Sequence, residues 1–208
     1  MQGERKLAVA EGYDRIADVY LHWRERTPKQ RITAYLDRVT EGLPHGARVL
    51  DLGCGAGVPY AAMLSERFDV IGVDISRGQL AMARRLVPGA AFLRGDMSSL
   101  AFPPGAFDAI IALYSIIHVP REEHDPLFRS LYDLLRPGGR MLAVLGRDDW
   151  VGRESDWLVP GVEMYWSHFD AETNRRMVEG AGFRLLDAQI EPDPLGGAHL
   201  FVVAEKPA

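Results

Sequence analysis

The chain has 208 residues, of which 47% are hydrophobic and 25% are charged, and its formal net charge is −5. This length suits one domain, and the composition excludes a disordered chain or a fold that depends on disulfides. The negative charge argues against a nucleic-acid partner, and the lack of a long apolar run or a signal-peptide pattern predicts a cytoplasmic protein without a membrane partner.

Two helices are predicted before the main fold, one around residues 4–20 and one after Pro28. From Arg48 the chain then alternates short β-rich runs with helical patterns, as far as a fifth strand at residues 140–146. Alternation of this kind predicts a parallel sheet with helices on both faces. Near the end, Asp170 is expected to cap a further helix, and two closely spaced strands should form an antiparallel hairpin.

Residues 146–169 interrupt this alternation with a long connection that is rich in aromatic side chains. A short loop would be enough to join a strand to a helix, and long structured insertions are often functional. The alternative is an irregular surface loop whose aromatic residues pack among themselves, and the sequence leaves it open.

A glycine loop, DLGCGAG at residues 51–57, follows the first strand of the sheet directly. Glycines allow the backbone to turn sharply and to approach a ligand closely at the start of a helix. A dinucleotide fingerprint would require glycine where this chain has Val58, and the lysine of a P-loop is missing. The loop therefore predicts a nucleotide-like ligand that is neither a nicotinamide dinucleotide nor a nucleoside triphosphate.

The same loop resembles motif I of the class I S-adenosylmethionine (SAM) dependent methyltransferases. Asp74, in VIGVDIS at the end of the second strand, lies where an acidic side chain can accept hydrogen bonds from ribose hydroxyls. Asp96 and Met97, in RGDMSSL, are similar to the family's third-strand motif, in which the carboxylate meets the adenine amino group and the next residue lines the ring. FDAIIALYSIIHVP and LLRPGGRMLAV continue the resemblance along the chain.

The resemblance implies a Rossmann-like three-layer α/β/α sandwich. Its seven-stranded, mostly parallel sheet would have the order 3-2-1-4-5-7-6, with the last strand antiparallel. Within one domain, residues 1–45 would form an N-terminal helical lid, 46–145 the SAM-binding core, 146–169 an aromatic insertion on the substrate side, and 170–208 the final helix and β-hairpin.

Motif positions of the family also imply roles for individual residues. Asp51, Gly53 and Gly55 correspond to positions that contact the methionine half of the cofactor. YDRIADVY resembles a lid helix that covers the cofactor. The predicted cofactor-binding residues are Tyr13, Tyr20, Asp51, Gly53, Cys54, Gly55, Gly57, Asp74, Ile75, Asp96, Met97 and Leu113.

Methyl transfer from SAM to an oxygen, nitrogen or carbon atom of a small aromatic or apolar acceptor is the implied activity, with S-adenosylhomocysteine (SAH) as the other product. Histidine has a pKa suited to removing a proton from such an acceptor near neutral pH, and the two candidate bases are His118 and His168. A flat or apolar acceptor suits an aromatic pocket. The predicted substrate-binding residues are Trp23, Tyr114, Trp150, Trp157, Tyr165 and Trp166.

Several alternatives stay open at this point. Asp74 and Asp96 could simply cap the helices after them, and both histidines could be hydrogen-bonding anchors without a chemical role. The chain could methylate a protein or a nucleic acid, or bind SAM without transferring a methyl group. Residues 112–115 lack the Asn/Asp-Pro-Pro-aromatic signature of the family's enzymes for amino groups of bases and glutamine. No metal site is predicted, and the oligomeric state is left unknown.

Overall fold

The computed structural model describes residues 2–26, 28, 30–193 and 197–208. The helices in these ranges are α1 (Gln2–Glu25), α2 (Gln30–Thr40), α3 (Tyr60–Ser65), α4 (Arg77–Leu86), α5 (His124–Leu134) and α6 (Ala171–Gly180). The strands are β1 (Arg48–Leu52), β2 (Asp69–Asp74), β3 (Ala91–Arg94), β4 (Phe107–Ala112), β5 (Leu135–Gly146), β6 (Trp150–Glu154), β7 (Met164–His168), β8 (Arg184–Pro192) and β9 (Ala198–Glu205).

One seven-stranded sheet forms the centre of the fold, in the order β3-β2-β1-β4-β5-β9-β8. Strands β1 to β5 pair in parallel, whereas β9 is antiparallel to both of its neighbours. Because β6 and β7 lie outside this sheet, β8 and β9 are its sixth and seventh strands in chain order. The predicted order, the antiparallel seventh strand and the terminal hairpin are thereby confirmed.

The sheet is buried on both faces because its central strands are apolar at consecutive positions. Val49 and Leu50 point to opposite faces and are both fully buried. One face packs against α5 and α6, where Phe128 is fully buried, and the other packs against α2, α3 and α4, where Leu80 is buried. Burying one apolar side chain of this size contributes roughly 1.5–3 kcal/mol, so these two layers supply much of the stability.

Local signals in the sequence explain where several elements begin. The carboxylate of Asp170 accepts a hydrogen bond of 2.9 Å from the backbone N–H of Thr173, which confirms the predicted cap of α6. Ser76 caps α4 in the same way through Gln79 N–H. The start of β5 differs from the prediction: the strand begins at Leu135, because Leu135 pairs with Phe107 at the first residue of β4 before the chain turns at Gly138.

The aromatic insertion folds as a separate two-stranded antiparallel sheet, β6 and β7. Its inner face packs against α1 in a third apolar cluster that includes Ile16, Met164 and Tyr165. Helix α1 continues to Glu25, beyond the predicted end near Tyr20, and so covers the insertion as well as the core. Within the described ranges, no helix combines the length and apolar character needed to cross a membrane.

Candidate functional site

Three adjoining cavities lie under α1, at the carboxyl ends of β1, β2, β3 and β4. The central cavity has a volume of about 700 Å³ and reaches from the glycine loop to Asp96. The glycine-loop cavity, about 490 Å³, extends from Asp51 to Arg24. The aromatic cavity, about 630 Å³, lies between α1 and the insertion. Tyr20 lines all three, so the cavities are direct neighbours.

The glycine loop has the backbone geometry that its sequence predicts. Gly53 and Gly55 have φ values of 69° and 54°, in the left-handed region that disfavours other residues. A Cβ atom added to Gly53 would lie 2.2 Å from the Cβ of Ser115. At Gly53, both the backbone conformation and the close approach of Ser115 therefore exclude a side chain.

Asp51 lies at the start of this loop and is only 4% exposed. Within the described residues its carboxylate has no hydrogen-bond or ion-pair partner. Burial raises the pKa of Asp51 to about 7, and the nearby Asp74 carboxylate adds to the shift. A cationic group of a ligand beside Asp51 would favour the ionised carboxylate and so oppose the effects of burial and of Asp74 on its pKa.

Arg24, on α1, lines the same glycine-loop cavity as Asp51. Its guanidinium lies 5.8 Å from the ring centroid of Tyr60 and 5.6 Å from that of Tyr114. Among the described residues it forms no ion pair with a carboxylate. The cavity thus contains one acidic and one basic side chain that are each available to a ligand.

Asp74 and Asp96 both hold local structure and line the central cavity. Asp74 accepts hydrogen bonds of 2.8 Å from the N–H groups of Gly55 and Ser76, which oppose the burial that raises its pKa. Asp96 accepts from Ser98 N–H at 2.9 Å and pairs with Lys6 of α1 at 2.6 Å. Capping and ligand contact are therefore compatible roles for these carboxylates.

Helix α1 is fixed to the core beside these residues. The carboxylate of Asp14 accepts hydrogen bonds from the Ser76 hydroxyl at 2.5 Å and from Gly78 N–H at 2.8 Å. An added Cβ at Gly78 would lie 3.3 Å from the backbone of Asp14, so the two helices cross in close contact. This crossing holds α1 over the central cavity, which residues of that helix line.

His118 lies at the junction of the central and aromatic cavities and lines both. The carbonyl of Tyr165 accepts a hydrogen bond of 2.8 Å from Nδ1, and the Tyr13 hydroxyl is 3.0 Å from Nε2. Burial lowers the pKa of His118 to about 4. The ring is therefore neutral at physiological pH, with its lone pair on Nε2 facing Tyr13.

Aromatic rings surround the third cavity on several sides. The Tyr13 and Trp157 ring centroids are 5.6 Å apart, Tyr20 stacks on Trp23 at 5.5 Å, and Trp157 meets Trp166 edge-on at 5.7 Å. These spacings are typical of favourable aromatic contacts. The resulting space has flat aromatic walls, and Arg24, Asp193 and His199 add polar groups to its lining.

The structure brings all twelve predicted cofactor-binding residues to two cavities. Nine of them line the central cavity, namely Tyr13, Tyr20, Gly53, Gly55, Asp74, Ile75, Asp96, Met97 and Leu113. The other three, Asp51, Cys54 and Gly57, line the glycine-loop cavity.

The predicted substrate-binding residues divide into two groups. Trp23, Tyr114, Trp157 and Trp166 line the aromatic cavity. Tyr165 is buried behind His118, and Trp150 is 42% exposed on the outer side of the insertion; neither of them lines it.

His168, the second predicted base, lines none of the three cavities. Its Nδ1 donates a hydrogen bond of 2.6 Å to the carbonyl of Asp148. It also lies against the backbone of Gly146, where a Cβ would be 2.2 Å from the ring. In this position the side chain joins the two ends of the insertion.

Sequence reasoning missed several residues that line the cavities. Arg24 could have been found, because it lies one helical turn after Tyr20 and hence on the same face of α1. Gln79, inside α4, and the pair Asp193 and His199, whose side chains are 3.3 Å apart beside the aromatic cavity, carry no motif that marks them.

Comparison with known proteins finds similarity in the segment that contains the glycine loop. Residues 49–139 match the family model described as "Methyltransferase domain". The chain is 34% identical over 137 residues to a demethylmenaquinone methyltransferase of Beutenbergia cavernae, in a match that covers 64% of this chain and 53% of that protein. It is 32% identical over 154 residues to the 27-O-demethylrifamycin SV methyltransferase of Amycolatopsis mediterranei, with 64% and 56% covered.

The fold is shared with solved structures over its full length. A 1,6-didemethyltoxoflavin-N1-methyltransferase from Burkholderia thailandensis, with 1,6-didemethyltoxoflavin and S-adenosylhomocysteine bound, superposes with a TM-score of 0.76 at 20% identity. That likeness covers 100% of this chain and 91% of the other. The chain spans about half the length of the curated relatives that it matches.

Proposed function

Because the chain belongs to the class I SAM-dependent methyltransferases, as its motifs predicted, we propose that it transfers the methyl group of SAM to a small organic acceptor. One observation carries the proposal: the central cavity, lined by nine of the predicted cofactor residues, adjoins the aromatic cavity at His118 and Tyr13, which line both. A methyl donor and a flat acceptor can therefore meet at one point.

The chemistry of the cavity residues fits SAM. Asp51 and Arg24 present opposite charges in one cavity, as the ammonium and carboxylate of the methionine part require. Asp74 and Asp96 lie along the central cavity, where they would meet the ribose and the adenine amino group. When it is bound, SAM supplies a methyl group on a positively charged sulfur, which needs no further activation.

The residues of the chain then have two tasks, positioning the acceptor and excluding water. The rings of Trp23, Trp157 and Trp166 would hold a flat acceptor, and α1 would close over it. In-line geometry between the acceptor atom and the methyl group accounts for much of the rate acceleration in reactions of this kind.

His118 is the residue that we assign as the base. Its Nε2 accepts a hydrogen bond from Tyr13, so an acceptor proton can move to the Tyr13 oxygen while the Tyr13 proton moves to Nε2. The lowered pKa makes His118 a weak base. A weak base suffices, because an O–H or N–H proton becomes strongly acidic as the bond to the methyl carbon forms.

A small aromatic or apolar acceptor is favoured over a macromolecule. The curated relatives are named for quinone and rifamycin substrates, and the aromatic cavity is bounded by ring faces rather than by a basic groove. We also propose that the protein acts in the cytoplasm.

Binding and turnover test the proposal in sequence. Isothermal titration calorimetry of the purified protein with SAH should show a single binding site. Incubation with SAM and a panel of phenols, quinones and heteroaromatic acids should then give a product heavier by one methyl group, with no methylation of RNA or peptide pools. A protein without measurable affinity for SAH would rule out the proposal. Methylation found only in the RNA or peptide pools would show that the acceptor is a macromolecule and not a small molecule.

A further inference from the structure

Gln79 occupies a position in α4 where an apolar residue would be expected. It is 1% exposed and lies on the buried face of the helix, beside Leu80 and one turn before Ala83. Unlike these neighbours, its side chain reaches the cavities and lines both the central and the glycine-loop cavity.

The side-chain amide of Gln79 has no hydrogen-bond partner among the described residues. Both Nε2 and Oε1 are buried, and neither finds a donor or acceptor within the part of the chain that the structure describes. Burying a primary amide without hydrogen bonds is unfavourable, whereas methionine would fill a similar volume without that cost. The polar side chain is therefore explained best by a ligand that completes its hydrogen bonds.

The position of the amide indicates which part of a ligand it meets. An ideal Cβ on Gly55 would lie 3.5 Å from Oε1 of Gln79, and Gly55 N–H donates to the Asp74 carboxylate at 2.8 Å. The amide and the carboxylate thus flank the same glycine. A carboxylate accepts hydrogen bonds only, while an amide both donates and accepts, and together they match a pair of neighbouring hydroxyl groups.

The backbone of Gln79 is held in place without a ligand. Its N–H donates to the Ser76 hydroxyl at 3.1 Å, and that hydroxyl donates to Asp14 at 2.5 Å. The amide is thus presented to the cavity from a fixed helix start, so little ordering is needed on binding.

From these contacts we infer that Gln79 hydrogen-bonds the ribose hydroxyls of the cofactor, opposite Asp74. The inference rests on the proposed function and adds a binding residue to it. It also implies a trade-off: the side chain lowers the stability of the free protein and increases its affinity for the cofactor.

Two apolar variants, Gln79→Met and Gln79→Leu, test the inference by calorimetry and thermal unfolding. The ligands are SAH, 5′-methylthioadenosine, which lacks the amino-acid part, and the 2′,3′-dideoxy analogue of methylthioadenosine. Losing one or two hydrogen bonds should weaken SAH and methylthioadenosine binding by about tenfold each. The dideoxy analogue should bind to the variants and the wild type equally, and the unfolding temperature of the free variants should equal or exceed that of the wild type.

Gln30→Met, at an exposed position at the start of α2, is the control and should change none of these values. Variants that bind methylthioadenosine as tightly as the wild type would overturn the inference, as would a loss of affinity confined to SAH. Equal losses for the dideoxy and the parent compound would also overturn it, because they would show a general distortion of the site. A wild type that binds none of the ligands would instead refute the proposed function.

Discussion

The Tyr13 hydroxyl donates a hydrogen bond to Nε2 of His118 across 3.0 Å, and this contact joins α1 to the segment that follows β4. The direction of the bond follows from the other ring nitrogen. Nδ1 faces the carbonyl of Tyr165 at 2.8 Å, and a carbonyl can only accept. Neutral His118 therefore has its proton on Nδ1 and its lone pair directed to Tyr13.

The first prediction concerns the role of this pair in turnover. Replacing His118 with asparagine should lower kcat by about 10²–10⁴-fold, the usual contribution of a positioned base, while SAH affinity stays near the wild-type value. Because burial keeps the pKa of His118 at about 4, the base form persists as the pH falls. With SAM saturating and an acceptor that does not ionise in this range, wild-type kcat/KM for the acceptor should be flat through pH 6.5 and decline only toward pH 4.

Two further histidine variants are controls for this prediction. His45→Asn, at an exposed site, should retain full turnover. His168→Asn distinguishes the two candidate bases, since a large loss of kcat there, with His118→Asn fully active, would reverse the assignment. An inflection near pH 6.5 that disappears in His118→Asn would contradict the lowered pKa.

The second prediction uses the raised pKa of Asp51. Its pKa is about 7 in the folded protein, well above the ordinary aspartate value of 3.8, so the unfolded state ionises first as the pH rises. Folding stability from this group is complete below pH 3.8 and is lost as the pH rises through about 7. Asp51→Asn should therefore raise the unfolding temperature of the free protein at pH 8 and change it little at pH 4, while weakening SAH binding.

Differential scanning calorimetry across this pH range gives the measurement, with the exposed Asp69→Asn as the matched control. If the stability gain of Asp51→Asn is the same at both pH values, the gain does not come from the ionisation of the Asp51 carboxyl.

The third prediction concerns Arg24. Its side chain shares the glycine-loop cavity with Asp51 and forms no described ion pair, so we expect it to bind the carboxylate of the cofactor's amino-acid part. Arg24→Met should weaken SAH binding by about tenfold or more, as expected for a charge-assisted hydrogen bond, and leave 5′-methylthioadenosine binding unchanged. Titration calorimetry with the two ligands measures the difference, and Arg85→Met, on the exposed side of α4, is the control. Equal losses for both ligands would indicate a structural role for Arg24.

The fourth prediction separates two tryptophans of the insertion. Trp157 lines the aromatic cavity, whereas Trp150 faces outward and is 42% exposed. Trp157→Ala should raise the KM of an aromatic acceptor by about tenfold, because one aromatic face contributes on the order of 1 kcal/mol beyond its buried area. Trp150→Ala should leave that KM unchanged, and both variants should bind SAH as the wild type does. A larger effect at Trp150 would place the acceptor on the outer face of the insertion.

The sheet and the glycine loop could be predicted because their signals are local. Glycines such as Gly53 are fixed by backbone geometry, and the strand order is implied by the family resemblance that the motifs at the strand ends carry. The aromatic cavity depends instead on how α1 and the insertion pack together. The sequence gives no sign that Trp157 faces inward and Trp150 outward, since the difference arises from a tertiary contact with Tyr13. Gln79 was missed for a related reason, because a buried amide is unusual only once its missing partners are seen.

The positions of the tryptophans give the protein an intrinsic optical reporter. All four, Trp23, Trp150, Trp157 and Trp166, belong to α1 or to the insertion, and the central sheet with its flanking helices contains none. Ultraviolet emission therefore originates almost entirely from α1 and the insertion, where Trp23, Trp157 and Trp166 line the aromatic cavity. Acceptor association and movement of α1 can be followed in real time by stopped-flow fluorescence, without a label and without background from the core.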